Sequence, residues 1–380
     1  MKERFASVFG RGPQFSLAVP GRTELGGNHT DHQHGPVLAA PVRVFVVASA
    51  SENGTDTIRI DSEGFEPFES DLFDLCPRAE EQGLPVSLLK GVASAFAEKG
   101  LRGFDACIRS DIPVGSGLSS SAAFEILLAK LCCHFSGVQL PAEELAKIAQ
   151  RAENEYFGKP SGLMDQMACA SEGPVFIDLK DPASPVVCPV RLDPEKYGYA
   201  LCLVRCGAGH EDLTDQYRTI TREMGDVARY FGKDVLREVP EERFTAEVPA
   251  LRRACGDRAV LRAVHFFEEV RRVTAMKDAV ERDDFETFLS LVRGSGRSSC
   301  ELLQNVIPEG SAAHQDMAMA LAFAEKALEG TGAVRVHGGG FGGTIQAYVP
   351  FDKLDSFKTQ MEALFGPGCC IDTKILSAEV

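Results

Sequence analysis

Apolar and polar positions alternate along this chain in two distinct rhythms. Residues 42–50 (Val-Arg-Val-Phe-Val-Val-Ala-Ser-Ala) form a dense β-branched run, and 104–110, 200–206 and 344–349 read the same way. These four segments predict strands. Residues 122–135 are apolar almost without interruption, which predicts a helix buried on all sides. Residues 141–157 open with Pro141, Glu143 and Glu144, a favourable first helical turn. Leu145, Ile148, Ala149, Ala152 and Tyr156 then follow at helical spacing. Charged amphipathic segments at 211–231, 265–293 and 312–329 predict further helices. Strands and helices mix without a regular βαβ alternation, so the expected fold class is α+β. The stretch 181–195 is rich in Pro and Asp and marks the expected domain boundary, giving halves 1–190 and 191–380.

Length supports two domains, because 380 residues exceed what one core usually serves. With 44% hydrophobic and 25% charged residues, the chain is an ordinary globular one. Its 55 acidic and 40 basic residues leave a formal charge of −15, which opposes sequence-independent nucleic-acid binding. No apolar run approaches the roughly 18 residues that a membrane helix needs. The first residues, Met1-Lys2-Glu3-Arg4, lead into mixed polar sequence without an apolar signal core. The twelve cysteines are scattered and form no Cys-x-x-Cys pair. They read as reduced thiols of a cytoplasmic protein.

Candidate chemistry gathers in glycine-rich places. The first runs from Pro20 to Gly35 and packs Arg22, Asp31, His29, His32 and His34 into a loop-like segment. A histidine metal site and a plain surface turn are both open readings. The second is Pro113-Val114-Gly115-Ser116-Gly117-Leu118-Ser119-Ser120-Ser121, which feeds an apolar helix. Glycines let backbone approach a ligand, and free amides at a helix start attract an anion such as phosphate. A capped helix without ligand is the alternative. No Gly-Lys-Ser/Thr follows, so this is not the usual P-loop. The third is His337-Gly338-Gly339-Gly340-Phe341-Gly342-Gly343. It contains G-x-G-x-x-G, but a strand follows where a dinucleotide fingerprint needs a helix. Such bare backbone implies tight packing against a ligand or another loop. Asp165, in Ser161-Gly162-Leu163-Met164-Asp165-Gln166, is either a turn former or a reactive acid. Glu153 points toward the apolar side of its helix, where a carboxylate needs a partner or a metal, or else lies at a solvated edge.

Together these pieces resemble the GHMP small-molecule kinases, and within them the galactokinase family, from about residue 18 to 350. Residues 21–32 are similar to the signature G-R-x-N-L-I-G-E-H-x-D-Y. Residues 113–122 match P-x-G-x-G-L-S-S-S-A. Glu153 and Gly162-Leu163-Met164-Asp165-Gln166 match A-E-…-G-I-M-D-Q. Gly332-Ala333-Val334-Arg335-Val336-His337-Gly338 and the glycines after it match G-A-R-x-T-G-G-G-F-G-G. Asp215-Gln216-Tyr217 resembles the sugar-contacting E-Y-N stretch.

The resemblance implies a two-domain GHMP kinase fold with ATP and sugar meeting in the cleft between the domains. It implies Mg²⁺-dependent transfer of the γ-phosphoryl group of ATP to the anomeric hydroxyl of galactose. Asp165 would accept or orient the hydroxyl proton, and Arg22 would stabilise charge beside it. Gly115, Ser116, Gly117, Leu118, Ser119, Ser120 and Ser121 would cradle the phosphates. Ser121 and Glu153 would help hold Mg²⁺. Asn28, His29, Asp31, Gly162 and Tyr217 would bind the sugar. Leu84, Leu88 and Lys90 occupy the adenine-side stretch.

The departures bear on substrate. Asn28 stands where the family carries Glu near the sugar C6 hydroxyl, and Glu24 stands where it carries Asn. Galacturonate kinases also lose that Glu and show an Asp-His-Gln string like Asp31-His32-Gln33. A C6 carboxylate would be repelled by Glu but accepted by Asn, so galacturonate is the alternative substrate. A non-catalytic sugar sensor would have a shortened serine loop, and this loop is full length. Mevalonate- and homoserine-type kinases lack the 22–31 sugar segment as a set. Neither nucleic acid nor membrane is an expected partner.

Overall fold

The computed structural model describes residues 1–113, 116–159, 161–207 and 213–377. The chain divides into two compact units. The first comprises Met1–Arg22, Pro41–Val114 and Leu118–Glu172; the second comprises Thr23–Ala40, Gly115–Gly117 and Gly173–Val380.

In the first unit, helix α1 (Lys2–Phe9) precedes strand β1 (Phe15–Gly26), which pairs with the long strand β2 (Pro36–Glu52). Strands β3 (Thr57–Ser62), β4 (Phe68–Asp71) and β5 (Phe104–Ser110) lie on one side of β2 in this sheet, in the order β4-β3-β5-β2. β2 and β5 are antiparallel from Val46–Ser110 to Glu52–Phe104, whereas β3 and β5 run parallel. Four helices pack together beside the sheet: α2 (Pro85–Ser94), α3 (Ser120–Ser136), α4 (Ala142–Arg151) and α5 (Met164–Ala170). α3 buries Ala122, Ala123, Ile126, Leu127, Leu128 and Leu131 at once, so the all-round apolar run 122–135 is a core helix as its pattern requires. α4 does not continue as a regular helix to 157. Ala152–Phe157 forms a π-helical turn, which ends at Gly158 with φ 82°. Such wide turns rotate side chains off the regular helical register, and this one carries Glu153.

The second unit holds the other sheet. Strands β6 (Val175–Asp178) and β7 (Val186–Pro189) extend from residues 36–39 of β2, with Val37 opposite Ile177. Strands β8 (Tyr199–Arg205), β9 (Ala333–His337), β10 (Thr344–Pro350) and β11 (Cys370–Thr373) form a separate four-stranded sheet, ordered β11-β8-β10-β9. Helices α6 (Thr214–Tyr230), α7 (Glu241–Cys255), α8 (Asp257–Glu281) and α9 (Phe285–Ser298) build a helical layer. α10 (Asp316–Leu328) and α11 (Leu354–Phe365) cover the sheet with Met317, Ala320, Ala324, Phe357 and Met361.

The α+β class and the four predicted strands are present. Three expectations change. The segment 265–293 is two helices, because Asp283 takes a left-handed φ of 60° and Asp284 caps α9 through the Thr287 amide. Residues 20–26 are strand rather than loop: the Arg22 amide bonds to the Leu118 carbonyl at 3.1 Å, and a Cβ on Gly21 would lie 2.8 Å from that oxygen. The division falls at Glu172/Gly173 instead of 190/191, and residues 23–40 join the second unit. Strand pairing of 36–39 with β6 sets this assignment. So does the buried ion pair between Glu24 and Arg335, whose side chains are essentially excluded from solvent. No helix among the described residues is long and apolar enough to cross a membrane.

That ion pair yields a stability test. Glu24→Leu strips Arg335 of its hydrogen-bonded counter-ion and is expected to cost about 3 kcal/mol, as breaking buried pairs does. Combining it with Arg335→Met should recover part of the loss. Urea unfolding of the three variants against the parent measures both effects. A Glu24→Leu loss below about 1 kcal/mol would count against the pair as a stability determinant.

Candidate active site

In the first unit, Arg22 on β1 grips Asp165 with two parallel bonds. Its Nε reaches Oδ1 at 2.8 Å and its Nη2 reaches Oδ2 at 2.9 Å. This is the bidentate geometry that a guanidinium and a carboxylate share. The Arg22 side chain is 7% exposed, and that of Asp165 is 34% exposed. Asp165 is therefore fixed yet open on one side. The Ser119 hydroxyl also donates to Asp165 Oδ2, at 2.5 Å. Burial pushes the Asp165 carboxyl up, but Arg22, Ser119 and Lys159 outweigh it and hold it below the ordinary carboxylate range. Asp165 is thus an anion at neutral pH.

Its position comes from the turn before α5. The Ser161 amide bonds to Asn154 Oδ1 at 2.7 Å, and Gln150 Nε2 bonds to the Ser161 carbonyl at 3.1 Å. These contacts tie the Gly162 turn to α4 and the π-helical turn. Gly162 is half-buried, two residues before α5.

Ser119 sits in the left-handed region, φ 54°, immediately before α3, and its side chain caps no helix amide. The first-turn amides of α3, which lack intrahelical partners, stay available to an anion. Ser120 and Ser121 are exposed there. Ser119 therefore grips Asp165, a bond the phosphate-loop reading did not foresee. The Leu118 side chain is buried, and the residue anchors its loop to β1 through its carbonyl. Gly115 lies outside the described residues.

Glu153 is buried next to Asp165's neighbour, Gln166. Gln166 Nε2 reaches Glu153 Oε2 at 2.9 Å and Glu125 Oε2 at 3.1 Å. Lys159 Nζ meets Glu153 Oε1 at 2.7 Å. Burial, then the adjacent Glu153, pushes the Glu125 carboxyl up to about 9, so it is protonated at neutral pH. Glu125 Oε1 and Gln166 Oε1 are buried without partners. The sequence alone singled out neither Glu125 nor Lys159, and it gave Gln166 no role beyond its place in the Gly162–Gln166 motif. A lone Glu within the apolar run 122–135 was the available signal.

The second unit carries the other predicted residues. Ser116 is buried with an unpartnered hydroxyl. Gly117 takes φ 71°, where a Cβ would lie 2.9 Å from His337 Nδ1. His29, with φ 57°, donates through Nε2 to the Gly339 carbonyl at 2.9 Å. Burial and the neighbouring His32 push its imidazole down to about 4, against the opposing pull of the Gly339 carbonyl and Asp31. His29 is neutral, with Nδ1 buried and unpartnered, a free acceptor. Asp31 Oδ1 accepts from the His32 amide at 2.9 Å. The Tyr217 hydroxyl donates to the Gly340 carbonyl at 3.0 Å.

Asn28 departs from expectation. It is wholly buried, and its amide is consumed internally. Nδ2 donates to the Gly338 carbonyl at 2.6 Å and to Glu24 Oε1 at 3.3 Å; Oδ1 accepts from Asn305 Nδ2 at 2.8 Å and Ser299 Oγ at 3.3 Å. No donor or acceptor is left for a sugar C6 group. Two of the His337–Gly343 glycines are needed by loop packing: a Cβ on Gly340 would lie 2.2 Å from the Asn305 carbonyl, and one on Gly339 would lie 2.5 Å from the Tyr217 ring.

A metal reading for His29, His32 and His34 finds no support, because no group of three or more His, Cys, Asp or Glu among the described residues is arranged to hold an ion. The Ser121–Glu153 set is different in kind. A serine hydroxyl and one buried carboxylate suit Mg²⁺, which takes few protein oxygens and completes its shell from phosphate and water. Glu153 also already holds a cationic group at Oε1.

Comparison with known proteins identifies the family and the fold. Residues 87–173 match the GHMP kinases N terminal domain, and residues 3–52 match the galactokinase galactose-binding signature. A crystal structure of Lactococcus lactis galactokinase complexed with galactose superposes with a TM-score of 0.82 at 24% identity, covering 99% of this chain and 97% of that one. Methanococcus jannaschii mevalonate kinase superposes at 0.69 and 15% identity, covering 97% and 100%. The fold is that of the GHMP kinases. Human galactokinase is 31% identical over 352 residues, 90% of this chain and 85% of the relative. Galactokinase of Actinobacillus pleuropneumoniae is 29% identical over 94% and 90%. The chain belongs to the galactokinase family.

The depressed imidazole of His29 predicts a pH effect. Its folded value near 4 lies below the ordinary 6.5, so the unfolded chain binds the proton first. Stability contributed by neutral His29 is present above about 6.5 and falls away toward about 4. Between pH 7.5 and 5.5 this amounts to about 1.3 kcal/mol. Urea unfolding at both pH values should show a drop that His29→Gln reduces by that amount. An identical drop in His29→Gln would remove the assignment.

Proposed function

We propose that the chain transfers the γ-phosphoryl group of ATP to the anomeric hydroxyl of galactose, giving galactose 1-phosphate and ADP. The observation that carries this reading is Asp165 held as a carboxylate by Arg22 and Ser119, ahead of the open amino end of α3.

The chemistry follows from the charges. Asp165 is anionic and partly open, so it accepts a hydrogen bond from the anomeric hydroxyl and aims the oxygen at the γ-phosphorus. The P–O bond to the sugar forms as the bridging P–O bond to ADP breaks. A carboxylate held this low is a weak base, so its main service is orientation, and it takes the proton late. That suits a loose phosphoryl transition state, which asks for positioning and charge stabilisation. Arg22 keeps Asp165 ionised and sets positive charge beside the transferring group. Ser116, Gly117, Ser120 and Ser121, with Gly115 of the same loop, cradle the phosphates through backbone amides and hydroxyls. Ser121 and Glu153 would hold Mg²⁺, which neutralises phosphate charge when bound.

For the sugar, His29 offers an acceptor at Nδ1, Asp31 a carboxylate, Tyr217 a ring with a fixed hydroxyl, and Gly162 a bare backbone. Galactose stands ahead of galacturonate because the departure at Asn28 has an internal cause. Its amide is spent on Glu24, Gly338, Asn305 and Ser299. The twelve cysteines stand as free thiols, which supports a cytoplasmic setting.

A coupled ADP-release assay with Mg²⁺-ATP tests the reading, with galactose and galacturonate side by side and the product position fixed by phosphorus NMR. Galactose turnover with phosphate on C1 is the expected result. Preference for galacturonate would replace the substrate and keep the chemistry. ADP release with neither sugar would reject the reading. Asp165→Asn should lower kcat by about 10²–10⁴-fold with little change in galactose affinity. Parent-like turnover in that variant would take the role away from Asp165.

A further inference from the structure

Lys159 touches no reacting group and acts on Asp165 only through its charge, yet it is bound to Glu153 twice. Gly158, at φ 82°, reverses the chain after the π-helical turn. The Lys159 amide then donates to the Glu153 carbonyl at 3.1 Å, and its ammonium donates to Glu153 Oε1 at 2.7 Å. The two ends of this ion pair differ sharply in exposure: the Lys159 side chain is 59% exposed and that of Glu153 is 4% exposed.

The surroundings explain why a cation is needed. Glu153 shares Gln166 Nε2 with a second buried carboxyl, Glu125. A buried carboxylate in that company is costly without a counter-charge. Lys159 supplies one, and because its stem lies at the solvent edge it can leave without opening the core. The two oxygens of Glu153 then have separate duties. Oε2 is fixed by Gln166, inside the unit. Oε1 faces the exchangeable partner.

We propose that Lys159 is a built-in counter-ion that holds Glu153 Oε1 in the metal-free protein and competes with the divalent ion for that oxygen. This rests on the reading of Glu153 as a Mg²⁺-holding residue. An ammonium and a divalent ion on the same oxygen repel one another, so metal binding at Oε1 works against the 2.7 Å pair. Lys159 is therefore a positioning residue that sets how much divalent ion the protein requires. It is not a catalytic group.

The test reads metal binding directly. Mn²⁺ is titrated into the full chain with saturating ADP at pH 8, and free Mn²⁺ is followed by electron paramagnetic resonance. Lys159→Met should bind Mn²⁺ about fivefold more tightly than the parent, the worth of one partly exposed ion pair. Lys159→Gln is a second, polar version with the same expectation, should the Met variant fold poorly. Lys159→Arg restores the competitor and should stay within about twofold of the parent. In a Glu153→Gln background the Lys159→Met gain should vanish. Unchanged or weaker Mn²⁺ binding in both Met and Gln variants overturns the proposal. So does a gain that survives in Glu153→Gln, because that would be a general charge effect. None of these readouts needs sugar turnover, so failure of the sugar-kinase reading would be seen separately.

Discussion

The grip of Arg22 on Asp165 is the constraint around which the first unit is arranged. An aspartate in the first turn of a short helix would ordinarily be a mobile, solvated acid. Here two parallel bonds from a guanidinium and one from a serine hydroxyl remove its freedom. The cost of holding Arg22 out of water is met by the carboxylate itself. Three separate segments must converge for this to happen: β1, the residue before α3, and the turn into α5. β1 and the loop before α3 are locked to each other by the Arg22–Leu118 backbone bond, and the α5 turn is held by Asn154 and Gln150. The Ser119 conformation follows from the same demand. A left-handed serine is strained, and it aims its hydroxyl at Asp165 and leaves the helix end uncapped. One unfavourable residue thereby fixes the acid and leaves the amino end of α3 uncapped.

The second unit solves a different problem, that of bringing polar backbone close to polar backbone inside a core. The Gly338–Gly340 carbonyls accept from Asn28, His29 and Tyr217 in turn. Side chains on Gly340 and Gly339 would collide with Asn305 and Tyr217, respectively. The glycines therefore serve as a surface of bare carbonyls against which the sugar-segment residues are registered. His29 remains neutral for the same reason: it is buried, with a neighbouring imidazole discouraging a second positive charge.

Much of this was legible in the sequence, and the limits have physical causes. The β-branched runs and the apolar helix read over 122–135 were readable because period and composition agree. Arg22, Asp165 and Glu153 stood out because each motif placed a charge beside glycine or apolar residues. The bond between Ser119 and Asp165 was not readable, because it joins residues 46 apart and depends on one left-handed φ. The break at Arg282–Asp284 hid within a continuous amphipathic pattern, since a single left-handed residue ends α8 without disturbing its periodicity. The division into units was also hidden. A Pro/Asp-rich stretch marks an exposed edge, but unit membership follows strand pairing, which places residues 36–39 with β6.

The departure at residue 28 shows how a local substitution can be misread as a substrate signal. Asn in place of Glu looks like a change in what the protein binds, because it removes a charge from a sugar-binding segment. The structure places the compensating change at Glu24. Its carboxylate occupies Arg335, and Asn28 Nδ2 donates to the same Oε1. A glutamate at 28 would set a second carboxylate against Glu24, the Gly338 carbonyl and the core, with one guanidinium to serve both. Like charges so placed force one to protonate or the segment to shift. An amide avoids the conflict, because it donates to Glu24 and Gly338 on one side and accepts from Asn305 and Ser299 on the other. Residues 24 and 28 are therefore one electrostatic unit. Given Glu24, an uncharged donor at 28 is what the core requires, whatever sugar is bound.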